Sequence, residues 1–213
     1  MWLLELFAGS RSIGKTAESL GMDVFSSDIN DFPNINYVTD IINFDTNKVP
    51  FKPDIIWASP PCTTFSVASI GTHWDGGNRA YIPKTKEAKY GIEMVSKTIE
   101  IINYFNPKYW FIENPRGLLR KMPIMKQFDR ATICYCRYGD NRMKPTDIWT
   151  NHLATIYNNS GWKPLPMCFN ENKHCNHERA PRGSKTGTQG LSNNFERSKI
   201  PSALCNEILK SCL

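Results

Sequence analysis

The chain has 213 residues, 40% of them hydrophobic and 22% charged, which allows one sizeable core and leaves little room for a second full-sized domain. No apolar run reaches the roughly 20 residues needed to span a bilayer. The apolar start lacks a basic leader and soon meets glycine, so it reads as a buried strand and not a signal peptide. A soluble, cytoplasmic chain is expected, its seven cysteines reduced and not built into a disulfide framework. The net charge of +6 is unevenly spread: 10 Lys/Arg face 13 Asp/Glu up to Asn114, and 16 face 7 from Pro115 onward. A basic half suits a polyanionic partner, although a solvated basic surface gives the same count.

In chain order, Trp2 to Phe7 is a short apolar run closed by Ala8-Gly9-Ser10. A helical stretch follows to Leu20, and Gly21 stops it. Val24 to Ser27 reads as a second strand ending at Asp28, and Tyr37-Val38-Thr39 as a short third. Asp54 to Ala58 is a further strand running into Ser59-Pro60-Pro61-Cys62. From Lys84 to Phe105, Ile92, Val95, Ile99 and Ile102 recur at helical spacing, and Asn106-Pro107 ends the helix. Tyr109 to Ile112 is the next strand, with Glu113-Asn114-Pro115 expected to stop it. Alternating strands and helices predict an α/β fold with a mostly parallel sheet and helices on both faces. Residues 158–194 are rich in Asn, Gly, Pro, Lys and Arg without a period, and read as an irregular segment that either faces a polyanionic partner or is disordered when free. Pro201 to Leu213 reads as a closing helix.

Three places carry chemistry. Phe7-Ala8-Gly9-Ser10-Arg11-Ser12-Ile13-Gly14 lies between a strand and a helix, where small residues let a cofactor approach the backbone. Asp28, about 20 residues on, is placed to hydrogen-bond ribose hydroxyls. The Gly-Lys-Ser/Thr spacing of a phosphate loop is missing. Cys62 follows two prolines at a strand end, a stiff exposed turn that suits a nucleophile better than a structural thiol. Glu113 ends a hydrophobic strand, where partial desolvation lets a carboxyl hold a proton near neutral pH. All three fall at carboxyl ends of strands in one sheet, hence on one rim.

Their order and surroundings resemble the DNA cytosine-5 methyltransferase family. Leu6-Phe7-Ala8-Gly9 is similar to its cofactor loop, Pro60-Pro61-Cys62-Thr63-Thr64-Phe65-Ser66 to its nucleophile loop, and Glu113-Asn114-Pro115 to its Glu-Asn motif. Arg142-Met143-Lys144 resembles the basic pair that touches target base and phosphate, and Asp40-Ile41 falls where the family contacts adenine. The resemblance covers residues 1–150 and, more loosely, Arg197 to Leu213. It implies a Rossmann-like methyltransferase fold that uses S-adenosylmethionine. It assigns Cys62, Glu113, Arg142 and Lys144 to catalysis, and Phe7, Ala8, Gly9, Ser10, Asp28, Ile29, Asp40, Ile41 and Pro60 to the cofactor. Ser66, Arg116, Arg179, Arg182 and Lys185 are assigned to double-stranded DNA. The implied organisation is a catalytic domain over 1–150, a short DNA-facing insertion over 151–196 in place of a recognition domain, and a closing helix over 197–213. A monomer of phage type is expected.

The chain departs from the family at Ser10 and Ser12, where glycines are frequent, and at Pro115, where valine is common. Asp140 stands in place of a glutamine, and Lys144 in place of an arginine, which loses bidentate geometry. Carbon 5 of cytosine is a poor nucleophile until a thiolate adds at carbon 6, and the base must leave the stack for that to happen. An amino-methyltransferase would carry an aromatic residue where Cys62 stands. An RNA enzyme of the same family and a non-catalytic DNA-binding module remain the competing readings. Separately, Cys168, His174, Cys175 and His177 are zinc-type ligands in a segment too short for its own core, with Cys134 or Cys136 able to supply a missing ligand.

Overall fold

The computed structural model describes residues 1–76, 81–156, 159–169, 171–178 and 193–213. Its centre is a sheet of seven strands in the order β3-β2-β1-β4-β7-β9-β8. These are β1 (Trp2–Leu6), β2 (Asp23–Asp28), β3 (Tyr37–Val38), β4 (Ile55–Ala58), β7 (Tyr109–Pro115), β8 (Arg130–Cys134) and β9 (Pro145–Thr150). β5 (Trp74–Asp75) and β6 (Ile82–Pro83) form a separate two-stranded ribbon. β1 to β4 and β7 run parallel, while β9 runs antiparallel to both of its neighbours. The helices are α1 (Ser12–Ser19), α2 (Ile70–His73), α3 (Lys86–Phe105), α4 (Asn194–Ser198) and α5 (Ser202–Ser211).

The central strands are apolar on both sides because both faces of the sheet are covered. Leu4 and Leu6 of β1, Ile56 and Ala58 of β4 and Ile112 of β7 enter one core with Val95, Ile101 and Ile102 of α3. The alternate residues Leu3, Ile55, Trp57 and Phe111 enter the other, with Ile13 and Ala17 of α1 and Leu204, Ile208 and Leu209 of α5. This is the expected Rossmann-like, mostly parallel architecture. Each fully buried leucine contributes about 1.5–3 kcal/mol, so Leu4→Ala would cost about 2–5 kcal/mol once the cavity is included. The Thr85 hydroxyl caps α3 by accepting from Ala88 N–H, and the helix ends on Asn106 at φ 45°, just before Pro107.

Two features differ from the sequence expectation. β7 does not stop at Ile112 but runs through Glu113, Asn114 and Pro115, which pair with Ile148, Asp147 and Thr146 of β9. The partner strands β8 and β9 were not legible because β9 carries Asp147 at its centre, breaking the apolar run. That carboxylate is fully buried and is neutralised by Arg120 and Arg130. Of the irregular segment, the described residues show only isolated bridges, Leu153 to Trp162 and Arg142 to Glu178. No described helix is long and apolar enough to cross a membrane.

Candidate active site

The loop after β1 is shaped by left-handed backbone at Phe7 (φ 57°), Gly9 (φ 47°) and Arg11 (φ 54°). A buried network holds it: Glu5 accepts Gly14 N–H at 3.0 Å and the Ser26 hydroxyl at 2.9 Å, and Ser26 accepts from Arg11 Nε at 3.0 Å. Burial pushes the Glu5 carboxyl up to about 7. Asp28, at the end of β2, reaches back to accept Gly9 N–H at 2.9 Å and also takes Asn30 N–H at 2.9 Å. Ile29 beside it is 61% exposed, an apolar face next to a carboxylate. Asp40 caps the turn Ile41–Asn43 through Ile42 N–H and accepts the Tyr90 hydroxyl from α3. Burial and that bond push the Tyr90 phenol up to about 12. Both carboxylates keep spare lone pairs. Their acceptor chemistry, with the exposed Ile29 and the close-approach turn at Gly9, fits an adenosine-type cofactor across the ends of β1, β2 and β4.

Cys62 lies on the turn after β4, where its carbonyl accepts from both Phe65 N–H and Ser66 N–H at 3.0 and 2.9 Å. Two contacts seat this turn against the end of β7. Asn114 Nδ2 donates to the Pro60 carbonyl at 2.8 Å, and Leu118 N–H donates to the Phe65 carbonyl at 2.7 Å. Gly117 is required at that approach, since a Cβ there would come within 2.3 Å of the Phe65 carbonyl oxygen. Cys62 and Lys144 are half-buried and Glu113 is buried, and the Asn114–Pro60 bond holds the end of β7 that carries Glu113 against the Cys62 turn. Burial raises the thiol, the Lys144 ammonium lowers it and the Glu113 charge raises it. Lys144 is itself lowered by burial, against the pull of Glu113 and Cys62.

The Tyr135 hydroxyl donates to Glu113 Oε1 at 3.0 Å, a contact the sequence did not suggest. Burial and the neighbouring Glu113 hold that phenol well above its ordinary value, so it stays a donor. Tyr135, flanked by Cys134 and Cys136, and Tyr90, one aromatic near the start of a helix, carry no motif that marks them in the sequence.

The basic pair divides. Arg142 is buried and ion-paired with Asp140 through Nε and Nη2, while Nη1 donates to the carbonyls of Glu196 and Arg197 and Nη2 also to that of Lys199. These contacts tie it to the C-terminal segment. Lys144, at φ 26°, lies 4.6 Å from the Tyr135 ring centroid and donates to the Arg197 carbonyl at 2.9 Å. Ser10 is buried and bonded to Ser12, and Ala8, Ile41 and Pro60 are buried. Ser66 pairs with Ser69, and Arg116 is exposed at the end of β7. Arg179, Arg182 and Lys185 lie outside the described residues. Cys168, Cys175 and His177 come together, joined by Cys136, whereas His174 is exposed and outside that group.

The family model described as C-5 cytosine-specific DNA methylase matches residues 2–130. A protein of Frog virus 3 (isolate Goorha), "Probable DNA (cytosine-5)-methyltransferase", is 27% identical over 218 residues, covering 100% of both chains. Among solved structures, the "S. pombe Dnmt2 methyltransferase" is 12% identical with a TM-score of 0.48, covering 70% of this chain and 48% of that one. A mutant of Spodoptera frugiperda DNMT2 is 19% identical with a TM-score of 0.45, covering 70% and 49%. The chain spans about half the length of these two structures.

Proposed function

The chain belongs to the C-5 cytosine-specific DNA methylase family, and from that premise we propose that it methylates carbon 5 of a flipped-out cytosine in double-stranded DNA, with Cys62 as the covalent nucleophile. The observation that carries this reading is geometric: the Asn114–Pro60 bond seats the Cys62 turn against the strand end bearing Glu113, and Tyr135, bonded to Glu113 at 3.0 Å, lies beneath the Lys144 ammonium. The Cys62 sulfur adds to carbon 6 of the base as a thiolate. Glu113, oriented by Tyr135, hydrogen-bonds or protonates the ring nitrogen at position 3, which lets the ring take up the electron pair and makes carbon 5 nucleophilic. Lys144 lowers the thiol toward its reactive form and counters charge on the ring. S-adenosylmethionine, when bound against Phe7 to Gly9, Asp28, Ile29 and Asp40, supplies the electrophilic methyl group. Loss of the carbon-5 proton then lets the Cys62 sulfur leave. None of these steps is possible on a stacked base.

The family's activity on DNA and the basic C-terminal half support DNA as the substrate. Within this reading, residues 1–150 form the catalytic domain, 151–196 stand in for a recognition domain with Arg179, Arg182 and Lys185 on phosphates, and 197–213 return to close the catalytic core. The deciding experiment offers duplex DNA and transfer RNA side by side with labelled S-adenosylmethionine. Label is expected in DNA, as 5-methylcytosine. The Cys62→Ser variant should incorporate none while still binding the cofactor, and 5-fluorocytosine duplex should form a denaturant-stable adduct with the wild type only. Incorporation into RNA alone, or wild-type rates in the serine variant, would overturn the substrate or the nucleophile respectively.

A further inference from the structure

We propose that Cys136, Cys168, Cys175 and His177 bind a structural zinc ion that fastens the irregular segment after β9 to the turn carrying Tyr135. Three stretches of chain converge here: the turn Tyr135–Tyr138, the residues around Cys168, and Cys175 to His177. One ligand atom from each of the four side chains lies within 4.8 Å of all the others. A tetrahedral zinc with Zn–S of ~2.3 Å and Zn–N of ~2.0 Å places sulfur and nitrogen ligands ~3.5 Å apart. Cys168 Sγ and His177 Nδ1 are 3.7 Å apart before any ion draws them in. Cys168 and His177 are buried.

Cys168 Sγ also receives Asn172 Nδ2 at 3.4 Å, a donor of the kind that surrounds metal-bound thiolates. The need is evident in the segment itself. Leu165, Met167 and Phe169 are 36%, 42% and 63% exposed, so this stretch has little apolar burial to order it. A metal supplies the missing cohesion in segments of this size. Four protein ligands leave no open position, which marks a structural ion and not a catalytic one. On binding, each cysteine that is a thiol gives up its proton to solvent and ligates as a thiolate.

The clamp bears on the active site through two short paths. Cys136 adjoins Tyr135, which donates to Glu113. Beyond His177, Glu178 N–H donates to the Asn141 carbonyl at 2.8 Å and Glu178 Oε1 accepts Asn141 Nδ2 at 2.8 Å, next to Arg142 and Lys144. Zinc would thus hold both the turn behind Glu113 and the approach to the basic pair.

The test uses the full chain purified without added metal. Elemental analysis should find about one zinc per chain, retained in His174→Ala and lost in Cys136→Ser and Cys168→Ser. Cobalt(II) added to chelator-stripped wild type should give tetrahedral d–d bands and a thiolate-to-cobalt charge-transfer band, which reads the ligands even where a variant fails to fold. Zinc should raise the unfolding temperature of the stripped wild type and leave its affinity for S-adenosylmethionine unchanged. A zinc-free protein whose stripped form gives no such cobalt spectrum, iron in place of zinc, or metal that survives Cys136→Ser but not His174→Ala would overturn the proposal.

Discussion

Replacing Tyr135 with phenylalanine isolates a single hydroxyl beside the reacting centre. The ring is fully buried and packs beneath the Lys144 ammonium, 4.6 Å from its centroid, so phenylalanine keeps the packing. What is lost is the bond to Glu113 Oε1 at 3.0 Å, made between two buried side chains. A hydrogen bond to a charged group is worth about 1.5–3 kcal/mol, which at about 1.4 kcal/mol per decade corresponds to about a 10- to 150-fold fall in kcat. Methyl transfer into DNA at saturating cofactor gives kcat directly. Calorimetry should show unchanged S-adenosylmethionine affinity, because Gly9, Asp28 and Asp40 are held by other contacts. The cost should vanish in a Glu113→Gln background, where the oriented carboxylate no longer exists. A purely structural tyrosine would instead lower stability equally in both backgrounds with kcat unchanged. A Tyr135→Phe enzyme turning over within twofold of wild type would refute the positioning role.

Asp28→Ala should weaken S-adenosylmethionine binding by about tenfold or more through lost charge-assisted bonds; unchanged calorimetric affinity would remove Asp28 from the cofactor site. Alkylation of Cys62 by iodoacetamide reports its thiolate directly. Since Glu113 raises the thiol and Lys144 lowers it, Glu113→Gln should shift the alkylation profile to lower pH and speed the reaction near neutrality, while Lys144→Met should do the reverse. Equal profiles in all three proteins would show that these charges do not reach the sulfur. Affinity for duplex DNA should fall with salt at a log–log slope of about −0.9 per phosphate contact, and alanine at Arg179, Arg182 and Lys185 should flatten it. An unaltered slope would move the phosphate contacts to another part of the chain.

The parallel half of the fold was legible because both faces of its strands are covered, so β1, β4 and β7 read as near-continuous apolar runs. The antiparallel edge was not, because Asp147 is stabilised by Arg120 and Arg130, partners that lie 27 and 17 residues away in sequence and leave no local pattern. The site divides the same way. Cys62 and Glu113 carry motif signals, Cys62 after Pro60-Pro61 and Glu113 in Glu-Asn. Tyr135 acts through a contact 22 residues distant, which no periodicity encodes. The metal-type cluster was visible as composition, yet the choice of Cys136 over His174 depends on how the chain returns to the Tyr135 turn.

The split between Arg142 and Lys144 follows from how the chain closes. Arg142 holds the carbonyls of Glu196, Arg197 and Lys199, and Lys144 also donates to Arg197. The same segment reaches the cofactor loop, where Ile200 N–H donates to the Ser12 hydroxyl at 3.1 Å and the Ser198 hydroxyl lies 3.9 Å from the point where a Gly9 Cβ would stand. Ser12, where the family more often has glycine, therefore provides the acceptor that anchors the returning chain. A guanidinium suits the strut because its fixed fork serves several carbonyls and Asp140 at once, whereas a lysine offers a compact charge on a flexible stem. The lysine is then the member of the pair that lies over the Tyr135 ring, whose hydroxyl holds Glu113. In a chain with so little sequence beyond the sheet, one C-terminal return spans both the cofactor loop and the basic pair, and the substitutions at Ser12 and Lys144 become parts of that single arrangement.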